Sequence, residues 1–110
     1  MGTVDRVRLL EIHEEVCTAA RELMKKKNHD YSGGECGDLP FLNFSRCESM
    51  GICTTEQGFL VRLTDKMSRL STFCRGGRLK VEDERLDDTV QDVVNYVILF
   101  LAYSKSKGST

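Results

Sequence analysis

Three carboxylates are spaced four residues apart near the C-terminal end of the sequence: Glu84, Asp88 and Asp92. On an α-helix this spacing stacks them along one edge, where unpaired like charges cost about 0.2–0.5 kcal/mol per pair. A divalent cation would turn the repulsion into coordination, and hard oxygen ligands suit Mg²⁺ or Mn²⁺ bound together with phosphates. The alternative is a solvated helix whose acidic start complements the helix dipole.

A second segment, residues 62–69, combines one carboxylate with several cations. Asp65 and Arg69 lie one helical turn apart and are expected to point away from the apolar residues around them. They form either an exposed ion pair of little energetic value or part of a site in which Asp65 is a metal ligand. In the second interpretation, phosphate oxygens are held by one or more of the cations Arg62, Lys66 and Arg69.

The stretch KNHDYSG, residues 27–33, places an amide, an imidazole, a carboxylate and a phenol where the first helix is expected to end, at Lys27. Turn-forming residues are frequent from Asn28 to Phe44, which predicts a long polar loop, and such loops are often functional. A helix C-cap followed by a turn explains Asn28 well. It does not explain the three polar and aromatic residues that follow.

Helices have to position these residues. Apolar residues at 3.6-residue spacing predict three long helices, at about residues 4–27, from Thr54 or Thr55 to Gly76, and from residues 83–86 to about Ser106. A short helical turn is predicted at residues 45–50, and the only candidate strand is RLKV at 78–81. The sequence therefore predicts an all-α bundle, a single domain over residues 1–104 with a flexible tail at 105–110.

The last helix is expected to be covered on two sides. One side carries an apolar stripe, made of Leu86, Val90, Val93, Val97 and Leu101. The opposite side begins with Asp88 and Asp92, passes through Asn95 and ends apolar at Leu99. The two carboxylates are therefore predicted to face a crevice or a subunit interface. Asn95 has an interface, ligand or core role.

Composition argues against several classes of protein. In 110 residues, 16 Lys and Arg nearly balance 17 Asp and Glu, so no basic surface for nucleic acid is expected. The longest apolar run contains Asn95 and is too short to span a bilayer, and the N-terminus lacks the apolar core of a signal peptide. Five cysteines without a Cys-x-x-Cys pair favour reduced thiols in a soluble cytoplasmic protein.

Four blocks of the sequence resemble a known family: KNHDYSG, FLNF, GFLVRLTDKMSRLS and VEDERLDDTVQDVVNYVILFLAY. Their order and spacing resemble the phage-associated nucleotide modification associated domain 1, which is similar to the all-α MazG-like nucleotide pyrophosphohydrolases. The resemblance spans about residues 20–104. It implies a helical bundle that forms dimers or tetramers through helix faces, binds a nucleotide with Mg²⁺ or Mn²⁺ and, if phage-encoded, acts in the host cytoplasm.

The resemblance also implies roles for the carboxylates. Asp88 and Asp92 match the metal-binding stripe of the last helix, and Asp65 matches the acidic position of the preceding helix. MazG-like enzymes have a Glu-Glu-x-x-Glu run on that preceding helix, whereas this chain has DKMSR. Part of the metal site is then either missing or comes from Glu48, Asp30 or Glu84.

The nucleotide is expected to lie beneath the KNHDYSG segment. Lys27 would neutralise phosphate, Asn28 and Asp30 would reach base, sugar or metal, and Tyr31 would stack on a base. Asn43 in FLNF is a candidate for hydrogen bonds to the base edge. Asn95 completes the candidate nucleotide-binding residues.

Two functions follow from this reading. One is a metal-dependent pyrophosphohydrolase that converts a (deoxy)nucleoside triphosphate into the monophosphate and pyrophosphate, with Asp65, Asp88 and Asp92 as catalytic residues. The other is a non-catalytic protein that sequesters a nucleotide or a cyclic-nucleotide signal, which the small number of carboxylates around Asp65 favours. A third possibility is a purely structural oligomerisation module. It would leave the carboxylates of the last helix and the charges of residues 62–69 without a function.

Overall fold

The protein is all-α over the residues that a computed structural model describes, 3–31, 41–76 and 86–108, with the side chains of 28–31 excepted. Its four helices are α1 (Arg6–Tyr31), α2 (Leu42–Ser49), α3 (Thr55–Gly76) and α4 (Leu86–Ser106). Three long helices and one short helix were predicted, and this is confirmed. Within the described ranges no helix is long and apolar enough to cross a membrane.

Two helix boundaries differ from the predicted ones. Helix α1 does not end at Lys27 but continues to Tyr31, so the backbone of residues 28–31 is helical. These four residues include no glycine or proline, and each costs a helix less than about 1 kcal/mol. Helix α2 begins three residues early, at Leu42, where Phe44 is buried in the core. The rest of the predicted polar loop at 32–40, and RLKV, lie outside the described residues.

The start of α3 is fixed by a capping box, as the sequence TTEQ predicts. The backbone N–H of Gln57 donates to Thr54 Oγ1 at 3.1 Å, and the backbone N–H of Thr54 donates to Gln57 Oε1 at 3.0 Å. The two side chains satisfy backbone donors that the first turn of a helix leaves without partners. The position of α3 along the chain therefore follows from four residues.

An aromatic cluster joins α2, α3 and α4. Phe44, Phe59 and Tyr96 are its buried members, and the partly buried side chains packed on them are Phe41, Leu63, Leu99, Phe100 and Tyr103. The Phe44 and Phe59 ring centroids are 4.2 Å apart, and Phe59 has no exposed surface. Rings in such contacts add stabilisation beyond the apolar area that they bury. This cluster is the centre of the core.

Helix α1 packs against α4 around one buried polar contact. Asn95 Nδ2 donates a hydrogen bond of 2.9 Å to the backbone carbonyl of Ala20, and both residues are buried. A buried amide without a partner would cost about 1–3 kcal/mol, so this bond is needed for the packing. Of the three roles considered for Asn95, the structure gives it the core role.

Within one chain α4 is covered on one side, and cover of its other side by a second chain stays a prediction. The side that carries Asp92, Asn95 and Leu99 faces the other helices, whereas Val97 and Leu101 are 47% and 49% exposed. Other apolar residues at helical spacing are also exposed, namely Val4 just before α1, Val7 on α1, and Leu60 and Met67 on α3. Periodicity identifies an apolar stripe but not what covers it.

Candidate functional site

Three helices meet at one carboxylate. Lys66 of α3 lies with its Nζ 2.9 Å from Asp92 Oδ2, and Lys27 of α1 lies with its Nζ 3.4 Å from Asp92 Oδ1. Asp92 itself is on α4. We call Lys27, Lys66 and Asp92 the Asp92 junction. It brings together residues that are far apart in the sequence.

The Asp92 junction is largely withdrawn from water. The side chains of Asp92 and Lys66 are only 13% and 15% exposed, whereas Lys27 is more open. Burying an ammonium group is costly unless a carboxylate compensates it, and Asp92 provides that compensation for two of them. Two ammonium groups from different helices thus converge on one carboxylate.

A further ion pair, formed by Arg69 and Asp65, lies at the rim of the junction. Arg69 Nε is 3.3 Å from Asp65 Oδ2, and Lys66 Nζ is 4.0 Å from the same oxygen. Asp65 is mostly exposed, so the pair is the exposed ion pair considered from the sequence. Arg62 is exposed one turn before Lys66 on α3. The rim therefore adds cations that could reach a bound anion.

The predicted metal ligands do not assemble into a metal site among the described residues. No group of three or more His, Cys, Asp or Glu side chains in these ranges is placed to hold a metal ion. Both oxygens of Asp92 already face ammonium groups, and Asp65 contacts Arg69 at the surface. Asp88 is half-buried one turn before Asp92, and Glu84 lies outside the described residues. The carboxylates of the described residues therefore do not by themselves form a site for Mg²⁺ or Mn²⁺.

Glu48 was a candidate metal ligand, and the structure gives it another role. Its Oε1 accepts hydrogen bonds from the backbone N–H of Thr55 at 2.8 Å and from Thr55 Oγ1 at 3.0 Å. Thr55 is the first residue of α3, and Lys66 lies three turns further along, about 16 Å at 1.5 Å per residue. Glu48 caps α3 from α2 and cannot reach Asp92.

The cap should make folding stability depend on pH. The Thr55 backbone N–H, and then its hydroxyl, lower the pKa of Glu48 below its ordinary value of 4.5. A lowered folded-state pKa means that the stabilisation is present above about pH 4.5 and is lost as the pH falls through the folded-state pKa. We expect Glu48→Gln to reduce that loss of stability in urea unfolding between pH 6 and 3.

The control for the cap is Glu14→Gln, an exposed carboxylate on α1. It should leave the acid dependence of unfolding as in the unmodified chain. Equal acid dependence for the Glu48 variant and the unmodified chain would contradict the cap as a source of stability.

The remaining nucleotide-binding candidates are distributed over three helices. Asn43 is half-buried on α2 beside Phe44, and Asn95 is committed to the α1–α4 contact. The backbone of Asn28, Asp30 and Tyr31 forms the last turn of α1, directly after Lys27, and their side chains lie outside the described set. The end of α1 thus leads from the Asp92 junction into the KNHDYSG segment.

The sequence did not identify every polar residue near the junction. Thr89 is fully buried on α4 between Asp88 and Asp92, and it was not a candidate. A threonine among acidic residues at the start of a helix looks like a solvated residue, so the sequence carried no signal for its burial.

No protein-family model, no curated protein and no solved structure matches this chain.

Proposed function

We propose that this chain is a nucleotide-binding domain in which the Asp92 junction holds the phosphates. The observation that carries the proposal is the meeting of two ammonium groups, from α1 and α3, at one partly buried carboxylate. Lysine is a common phosphate ligand, and charge-assisted hydrogen bonds are about twice as strong as neutral ones. Asp92 holds both lysines in position for the phosphates.

The resemblance supports the same assignment. Lys27 begins the block KNHDYSG, Lys66 lies in GFLVRLTDKMSRLS and Asp92 lies in the last block. Three of the four blocks that resemble nucleotide modification associated domain 1 thus supply one residue each to a single contact. This argues that the blocks share a site rather than independent structural roles.

A second candidate function is the metal-dependent pyrophosphohydrolase. It is favoured by Asp88 and Asp92, which are partly buried one turn apart on α4. In that function Asp92 would be a ligand of Mg²⁺ or Mn²⁺, whereas in the first it is the counter-ion of two lysines. The two functions therefore predict different behaviour of the same carboxylate.

Nucleotide titrations distinguish the two functions. The purified chain is titrated with a panel of NTPs, dNTPs and cyclic nucleotides in the presence of a chelator, and the same mixtures are then chromatographed after incubation with Mn²⁺ or Mg²⁺. Binding in chelator with intact nucleotide supports the sequestering function. Monophosphate and pyrophosphate that appear only with metal support the hydrolase. No binding and no cleavage under either condition would refute both.

We also propose that two copies of the chain pack through the exposed apolar side of α3 and α4. On these adjacent helices Leu60, Met67, Val97 and Leu101 are each about half exposed. Leu60 and Met67 are two turns apart on one face of α3, and Val97 and Leu101 are one turn apart on one face of α4. Such a surface resembles a core cut in half, as obligate homodimer interfaces do.

The prediction for this surface concerns the solution mass. Light scattering should give a multiple of the 12.5 kDa chain mass, and Val97→Glu with Leu101→Glu should shift it towards the monomer, since a charge in an apolar interface is strongly unfavourable. Val61→Glu is the matched control, because Val61 is exposed on a different side of α3. A monomeric unmodified chain would contradict the proposed interface.

A further inference from the structure

The connection between α2 and α3 folds back sharply on the end of α2. The backbone N–H of Ile52 donates to the carbonyl of Cys47 at 2.9 Å, and that of Gly51 donates to the carbonyl of Glu48 at 3.0 Å. Gly51 has a φ of 75°, the left-handed region that glycine tolerates. This pair of bonds is a Schellman motif, which reverses the chain at a helix C-terminus.

The reversal brings two cysteines together. The backbone N–H of Cys53 also points to the carbonyl of Cys47, at 3.5 Å, so the two cysteines lie next to each other across the turn. Both cysteines are half-buried and reduced. Cys17 and Cys74, the other two cysteines among the described residues, are exposed on α1 and α3. The contact is therefore a property of this turn.

We propose that Cys47 and Cys53 form an oxidisable dithiol that is converted into an intramolecular disulfide by small disulfides of the oxidised-glutathione class. In the first step the thiolate of one cysteine attacks the small disulfide, forms a mixed disulfide and releases one small thiol. In the second step the other thiolate attacks the protein sulfur and releases a second small thiol. The protein gives up two protons and two electrons, and the small disulfide is reduced to two thiols.

The turn favours the second step over release of the mixed disulfide. The two cysteines belong to the same turn, with the Cys53 N–H 3.5 Å from the Cys47 carbonyl, so the attack is intramolecular and its effective concentration is high. Partial burial raises the pKa of the Cys53 thiol, and the neighbouring Cys47 raises it further. A raised pKa leaves less thiolate at neutral pH, so closure should be slow near pH 7 and faster as the pH rises.

The disulfide would join the end of α2 to the residue just before the α3 capping box. Helix α2 carries Phe44 into the aromatic core, and Glu48 caps α3. Oxidation would thus add a covalent link across a connection that hydrogen bonds already define. Because the turn already places the two cysteine backbones side by side, the link requires adjustment of the side chains rather than movement of α2.

Peptide mass spectrometry tests this proposal. The full chain is incubated with oxidised glutathione at pH 8, its remaining thiols are alkylated, and it is cleaved with trypsin. Arg46 precedes Cys47 and the next basic residue is Arg62, so one peptide contains both cysteines and no other. We expect that peptide to be about 2 Da lighter than the reduced, unalkylated peptide, because two hydrogens are lost. A reducing agent should restore both alkylation sites.

Single variants supply the controls. Cys53→Ser should leave Cys47 as a mixed disulfide with glutathione, because the second thiol is missing, and Cys74→Ser should leave the lighter peptide unchanged. Alkylation of both Cys47 and Cys53 while Cys17 and Cys74 take up glutathione would overturn the proposal. A disulfide from Cys47 or Cys53 to a third cysteine would also overturn it.

Discussion

Replacing Phe59 with alanine is expected to lower the free energy of unfolding by about 3–5 kcal/mol. Phe59 has no exposed surface, and its ring lies 4.2 Å from Phe44 and 6.2 Å from Phe100 between ring centroids. Truncating the side chain removes its apolar contacts with both α2 and α4 and leaves a cavity that the helices cannot fill. A domain of this size is stabilised by only about 5–15 kcal/mol, so the loss should be a large fraction of the total.

Urea unfolding followed by circular dichroism measures this effect. The control is Val61→Ala on the same helix, where the side chain is 63% exposed and the change should stay within about 0.5 kcal/mol. Phe59→Leu, which retains most of the apolar volume, should destabilise less than Phe59→Ala. A loss below about 1 kcal/mol for Phe59→Ala would contradict its position at the centre of the core.

The second large effect is expected at the Asp92 junction. Lys66→Ala should weaken nucleoside triphosphate binding about ten- to hundredfold, because a hydrogen bond to a charged group contributes about 1.5–3 kcal/mol. Lys66 lies 2.9 Å from Asp92 and is mostly shielded from water, which would strengthen an interaction with phosphate. Isothermal titration calorimetry in the presence of a chelator measures the affinity without a contribution from metal.

Lys26→Ala is the matched control for that loss. Lys26 is an exposed lysine next to Lys27 in the sequence, so it tests the effect of net charge alone. Salt screens such exposed charges, and its removal should change affinity by less than about threefold. Equal losses for the two variants would mean that the phosphates do not bind at the junction.

Asp92→Asn separates the two candidate functions. If Asp92 is only the counter-ion of Lys27 and Lys66, its neutralisation removes an anion that competes with phosphate for them, and metal-free affinity should rise. If Asp92 is a metal ligand in a hydrolase, the same change should abolish metal-dependent cleavage. Circular dichroism of the variant checks that the helices remain.

The fold could be predicted where local chemistry decides it. TTEQ sets the start of α3 through a reciprocal pair of hydrogen bonds, and the all-α class follows from helical spacing over most of the chain. The end of α1 could not be predicted, because the turn-formers after Lys27 are weak helix formers but not helix breakers. What covers the exposed side of α4 could not be predicted, because an apolar stripe looks the same under a helix and under a second chain.

The candidate site could be predicted in its members but not in its arrangement. Lys27, Lys66 and Asp92 were all candidates, but helical periodicity assigns each to a face of its own helix and does not identify its partner. The expectation that Asp92 is a metal ligand assumed an unpaired carboxylate, whereas it faces two lysines. Glu48 was misassigned because its partner, Thr55, belongs to the next helix and not to its own.

The hydrogen bond from Asn95 to the Ala20 carbonyl affects Lys27, which lies on the same helix as Ala20. Two smooth apolar helices can slide along each other by one turn, about 5.4 Å, and still bury similar surface. A directional bond to one carbonyl allows a single longitudinal alignment of α1 and α4. Ala20 lies two turns before Lys27, so this alignment determines whether Lys27 reaches Asp92. Asn95 thus helps to fix the position of the Lys27 ammonium group, which it does not touch.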